Sequence, residues 1–381
     1  MSPVNADQMS GFRLRRHHLD VRAPRNRIPD VVGDVCGIQA QVTVMPRIAL
    51  WARIRDLKID DVERALVQKR TIVKAWSMRM ALHLHRSDEL RLILAGLRAT
   101  RLPKETRWIE QTGLREEDTT AMILHALKDG PITRSALNAY LGKKLGAKVK
   151  DWVDGGWGNR TEGSSTTWQL VKPAVVRGLV CFGASDGQEI TFALTDQWLR
   201  QSRSIPTEDE AGAALVRRYL RAFGPADLGD LRSWSGVSAR HGRAILDHLQ
   251  DELVGVDRGG RRGLLLKKDL RDLEEGALPP GVVRLLPSFD PFLLGHDDRN
   301  HLVDPAHYGL VYKDQGWLAP VVLVDGRVGG TWSYQRLPRK LEVDVKMFSA
   351  LTKETRARVK EEAADLSRFF ETPDLTIRFA E

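Results

Sequence analysis

At 381 residues, with 42% hydrophobic and 29% charged side chains, the chain reads as an ordinary folded protein of two to four domains, able to bury a sizeable core. No apolar run approaches the roughly 18 residues of a membrane span, and the first ten residues lack a signal peptide's apolar stretch; a membrane partner is excluded and the expected location is the cytoplasm. The net charge of +9 is concentrated: residues 1–115 carry 22 Lys and Arg against 12 Asp and Glu, 116–280 carry 23 against 23, and 281–381 carry 14 against 15, which points to a polyanion partner.

In chain order, residues 8–18 predict a short helix whose Arg13, Arg15 and Arg16, with His17 and His18, are placed to lie along a phosphate backbone. A basic connector with two prolines and three further arginines covers 22–29, and a second helical stretch runs from Pro29 toward Gln39. Residues 48–54 and 60–68 read as helices, the second with an acidic start. The period then changes. The β-branched start and partial alternation of 71–85 predict a β-hairpin. Helices followed by a hairpin describe a winged helix. His83 and His85 share an i, i+2 relation in it; two histidines without a third ligand are a weak metal signal, so a hydrogen-bonding or DNA-facing role is preferred.

The pattern repeats. Residues 118–128 and 133–139 predict helices, 143–163 a polar insertion with Trp152 and Trp157, and 164–177 a capped helix. Two apolar runs, 179–182 and 190–194, flank Asp186-Gly187 as a second wing. A third unit has helices at 208–223, 226–234 and 238–250, then strands at 253–256 and 264–267 around a basic Gly and Arg loop holding Arg261 and Arg262. Wings of this type reach phosphates or a minor groove, although an exposed turn without a ligand is an equal alternative. Beyond Pro279-Pro280 come short strands at 282–286, 303, 321–324, 329–333 and 341–345, a helix at 354–370 and a strand at 375–379, read as a small β-barrel with a packed helix. The loop 289–299 is dense in charge, and Asp290, Asp297, Asp298 and Arg299 are read first as an ion-pair network and second as a chemical site.

Chemistry is sought at Cys36-Gly-Ile-Gln-Ala-Gln41. In an extended backbone Gln39 and Gln41 project to one side, so two uncharged carboxamides face one ligand with both donors and acceptors. Cys36 reads as a small buried apolar residue, and with Cys181 far away neither a disulfide framework nor a zinc site is indicated.

The three helix-and-wing repeats, Gln39-Ala40-Gln41, Leu50-Trp-Ala-Arg53, Leu82-His83 and Leu285-Leu-Pro-Ser-Phe-Asp-Pro-Phe-Leu-Leu-Gly295 with Arg299 together resemble the AlkZ-like family of bacterial DNA glycosylases. The resemblance implies an α+β fold of three tandem winged-helix units (1–115, 116–205 and 206–280) and a C-terminal barrel (281–381), arranged as a C-shaped, positively lined cleft. It implies monofunctional excision of bulky alkylated purines, with Gln39 and Gln41 catalytic. Arg13, Arg15, Arg16, Arg47, Arg53, His83, His85, Arg261 and Arg262 are then expected on DNA, and Asp290 and Arg299 near the lesion or holding their loop. No metal and no cofactor are expected. The partner would be double-stranded DNA carrying alkylated purines, met by a monomer that is nucleoid-associated when bound. Two rivals stay open: a winged-helix regulator without catalysis, and a drug-sequestering protein that stacks a flat metabolite on Trp152, Trp157 and Trp168.

Overall fold

Residues 2–146, 166–187, 189–200 and 206–380 are described in a computed structural model, in which helices and strands mix as an α+β fold. Trp152, Trp157 and most of the expected insertion at 143–163 lie outside the described residues. Among the described residues, no helix is long and apolar enough to cross a membrane. The chain forms two units: residues 1–63, 216–234 and 246–381 make the first, and 64–215 with 235–245 the second. Each unit collects separated stretches, and 206–280 is divided between them.

The second unit is built on the first two predicted hairpins. Ile72–Trp76 pairs antiparallel with Leu82–Arg86, and Val180–Phe182 with Thr191–Leu194. The two hairpins also pair with each other through Lys74 and Phe182, and Ile132–Thr133 adds to the far side of Thr191–Leu194. Strands rich in β-branched and aromatic residues fit such a sheet because one face packs on a core. Trp76 lies edge-on to Trp168 and Phe182 with ring centroids 4.9 and 5.0 Å apart, and Phe182 meets Phe192 at 5.2 Å. Trp168 therefore belongs to the core of this unit, together with Ile123, Leu137, Leu170 and Val175 from the surrounding helices.

In the first unit, helix Ala6–Arg16 opens on a capping box, with Asn5 accepting from the Gln8 N–H while the Gln8 side chain accepts from the Asn5 N–H. Its Phe12 packs with Val256, Leu265 and Leu273 around the third hairpin, Leu253–Asp257 with Arg262–Leu266. The C-terminal part corrects the barrel expectation. Its five strands run in the order Val283–Leu286, Val321–Val324, Arg327–Arg336, Lys340–Met347, Asp374–Ala380, open at both edges. The first three pairings are antiparallel and the last is parallel. A parallel neighbour needs a crossover. Helix Lys353–Phe369 supplies it, burying Val359, Ala363, Leu366 and Phe369, so a helix covers the sheet where a barrel would close on itself. Val303 is buried but lies in no strand.

Candidate active site

Helix Ile28–Asp34 stops earlier than its sequence pattern suggested, and the stop sets the geometry of the glutamines. The Gly37 N–H donates to the Val32 carbonyl and the Cys36 N–H to the Gly33 carbonyl, both at 2.9 Å, the paired bonds of a Schellman cap. Cys36 takes the left-handed position (φ 57°) that glycine usually fills, and Gly37 follows at φ 97°. The chain leaves in the extended pair Ile38–Gln39. Ile38 is buried, Gln39 half-buried, Ala40 buried and Gln41 exposed. Burial alternates along these four residues, and the two glutamines are the less buried side chains.

A bend at 41–44 then delivers the chain to helix Met45–Trp51, whose second residue is Pro46, a residue preorganised for a helix start. Arg47 braces the bend: its Nε donates to Glu63 Oε1 at 2.8 Å and its Nη1 to the Thr43 carbonyl. The far end of the helix is fixed twice. Trp51 Nε1 donates to Asp365 Oδ2 (2.8 Å) under the Arg22 guanidinium, 5.0 Å from the ring centroid, and Arg22 pairs with Asp365 (3.2 Å) and Glu362 (2.8 Å). Just past the helix, Arg53 and Asp290 form a fully buried bidentate pair, 2.8 and 2.6 Å.

A carboxylate stands at the end of the helix before the glutamines. Asp34 Oδ2 lies 2.9 Å from His18 Nε2. Burial pushes the Asp34 carboxyl up, but the His18 hydrogen bond and the positive charges of His18, Arg221 and Arg27 outweigh it and hold it below the usual carboxylate range. The sequence places His18 in a row against phosphate; partners 16 residues apart carry no local signal of their pairing.

The other expected site residues fall into three groups. Arg13 is buried and donates to the Gly224 and Pro225 carbonyls (3.3 and 3.1 Å), Arg15 donates to the Ala277 and Asp272 carbonyls, and Arg16 pairs with Asp269 and Asp272 at 2.8 and 2.7 Å. All three clamp the first helix inside its unit, and of the three only Arg13 is buried away from any phosphate. Arg53, His83 and His85 are likewise buried. His85 Nε2 lies 2.8 Å and His83 Nδ1 3.1 Å from Ser77 Oγ; burial pushes His85 down to about 4 and His83 well below its ordinary value. This is the hydrogen-bonding alternative; a DNA-facing role does not suit two buried neutral rings. Arg261 and Arg262 stay exposed on the third hairpin, although Arg261 pairs with Asp298 at 2.8 Å and more weakly with Asp227.

Loop 289–299 is fixed by ion pairs that leave the loop, Asp290 to Arg53 and Asp298 to Arg261. Arg299 instead donates from Nε to the His296 carbonyl (3.2 Å) and from Nη1 to the Tyr308 hydroxyl (3.2 Å).

Comparison with known proteins gives one consistent neighbourhood. A family model described as DNA glycosylase AlkZ-like matches residues 32–369, a span that includes both glutamines. An interstrand DNA cross-link repair glycosylase of Streptomyces sahachiroi is 30% identical over 334 residues, covering 85% of this chain and 86% of the relative. The solved structure of Streptomyces sahachiroi DNA glycosylase AlkZ superposes with a TM-score of 0.84 at 28% identity, covering 100% of both chains.

Proposed function

The chain belongs to the AlkZ-like family of DNA glycosylases, and from that footing we propose that it excises bulky cationic alkylpurines of the N7-alkylguanine type from double-stranded DNA, with Gln39 and Gln41 acting at the reacting sugar. Membership makes it an enzyme that hydrolyses N-glycosyl bonds in DNA, which displaces the regulator and drug-sequestering readings. The observation that carries the residue-level reading is the alternation of burial from Ile38 to Gln41, which leaves two carboxamides and no carboxylate as the less buried side chains of the motif.

Amides suit this reaction when the leaving group is already activated. An N7-alkylated purine carries positive charge; as the bond from C1′ to N9 breaks, the electron pair neutralises that charge and the base leaves without an added proton. Water adds to C1′ and gives its proton to solvent. What remains is to hold the water and tolerate an oxocarbenium-like sugar. Carboxamide carbonyls orient the water and N–H groups donate to sugar or phosphate, which is catalysis by positioning and fixed dipoles. Lacking a strong base, the pair confines the enzyme to activated lesions. No lysine is assigned as a Schiff-base former, so excision is monofunctional and leaves the strand uncut.

The Streptomyces sahachiroi relative is named for interstrand cross-link repair, and by that likeness unhooking of crosslinks belongs to this proposal, together with self-resistance to a DNA-alkylating natural product. The tandem winged-helix organisation and monomeric action on DNA are part of the same reading. It is tested by single-turnover excision from duplexes carrying either an N7-alkylguanine or a bulky intercalating N7 adduct. Gln39→Ala and Gln41→Ala should each slow base release about 10²-fold, the scale of a mispositioned reactant, with DNA affinity kept within a few-fold. Wild-type protein that binds both duplexes tightly and releases neither base would overturn the proposal.

A further inference from the structure

Arg299, Tyr308 and Tyr312 gather in the first unit, outside the glutamine motif. Tyr308 and Tyr312 stack with centroids 4.7 Å apart and planes at 26°. The Arg299 guanidinium lies 4.4 Å from the Tyr312 centroid and donates to the Tyr308 hydroxyl at 3.2 Å. Tyr312 is the anchored member, its hydroxyl donating to the Leu293 carbonyl at 2.9 Å. Tyr308 is the outer one, 36% exposed, beside Leu310 at 47%; both stand among the few large apolar side chains exposed on the described surface. Between them Gly309 has open space where a Cβ would point.

The charge is as unusual as the aromatic face. Arg299 makes no ion pair among the described residues: Asp298 is taken by Arg261, and Asp304 accepts the Ala306 N–H at 2.8 Å as the cap of the turn Pro305–His307. A guanidinium held on an aromatic stack without a carboxylate partner matches an anion, and an exposed flat ring matches another flat ring.

We propose that Arg299 and Tyr308 form a nucleotide-binding contact, in which an unstacked DNA base lies on the Tyr308 ring and the adjoining phosphate meets the Arg299 guanidinium. Base on tyrosine is a sequence-tolerant interaction, and guanidinium on phosphate a charge-assisted one. The rigid Tyr312 ring beneath keeps both groups in place before DNA arrives. The contact deepens the proposed function by assigning part of the grip on DNA, and it rests on DNA being the substrate.

Undamaged DNA separates the two readings, because its binding reports the contact whether or not any base is released. The full chain is titrated with a short single strand containing 2-aminopurine, over a range of salt. Tyr308→Ala should weaken binding about 5- to 100-fold and relieve the quenching of the probe, while Tyr308→Trp should retain both. Arg299→Gln should flatten the dependence of log K on log salt by about 0.7, the share of one phosphate on a single strand. Unchanged affinity and slope in all three variants would overturn the proposal. So would Tyr308→Trp failing as badly as Tyr308→Ala, or a wild-type dimer that Tyr308→Ala dissolves, which would assign the face to a second copy of the chain.

Discussion

Urea unfolding of Asp290→Asn is expected to show the first unit destabilised by about 3–5 kcal/mol, the usual consequence of removing one partner from a buried ion pair. Both side chains have zero exposure, and the pair is bidentate. Arg53 Nη1 also donates to the Ala49 carbonyl at 2.9 Å, and Asp290 Oδ1 accepts the Phe292 N–H at 3.0 Å, capping the turn Pro291–Leu293. Asparagine preserves the volume but leaves the guanidinium without a countercharge in a place water does not reach. Arg53→Met should be destabilising to a similar degree by stranding the carboxylate.

The double change Arg53→Met with Asp290→Leu should recover most of the loss, since neither charge is then left alone. An additive double mutant, or an Asp290→Asn protein with the wild-type urea midpoint, would show that the pair does not hold the unit together. The effect reaches the glutamines along the chain. Arg53 stands two residues past the helix Met45–Trp51, whose other end receives the bend from Gln41. Loosening that helix misplaces the carboxamides, so excision by Asp290→Asn should fall even at temperatures where the protein remains folded.

Why Asp290 and Arg53 were separated in the sequence reading is a question of range. The three hairpins were legible because strand pattern and turn residues are local. The basic excess of residues 1–115 was equally legible, yet its partners are not local. Arg16 finds Asp269 and Asp272, Arg22 finds Glu362 and Asp365, and Arg53 finds Asp290. Counting charge along the chain therefore overstated what is left for phosphate. The open sheet was mistaken for a barrel because individual strands look alike in both; the helix between the last two strands, itself predicted, was the signal for a parallel crossover. The early end of Ile28–Asp34 was masked by a cysteine in the left-handed position, with Gly37 one residue later as the remaining trace of the cap.

Mild acid should unfold this protein through its buried histidines. Burial holds His17, His83 and His296 well below their ordinary value, with the nearby positive charges adding to the effect; burial brings His85 to about 4 and, with Arg13, Arg258 and Arg327 nearby, His301 to about 2. In the unfolded chain each titrates near 6.5. Below that pH the unfolded state takes up protons that the folded state refuses, so stability falls with falling pH, by up to about 1.4 kcal/mol per pH unit for each ring. The loss begins near pH 6.5 and continues to about 4 for His85 and about 2 for His301. The five rings act in the same direction, so the loss accumulates as the unfolded chain takes up its protons. The first unit holds three of them and should yield first. His17 lies edge-on to Phe223 and Phe292, with centroids at 4.9 and 5.2 Å, so His17→Phe replaces one ring with another of similar size that cannot titrate. Urea midpoints measured between pH 7.5 and 5 should fall steeply for wild type and less steeply for His17→Phe. A midpoint that stays level across this range would mean the rings gain their protons without unfolding, and the buried neutral state assigned to them would be wrong.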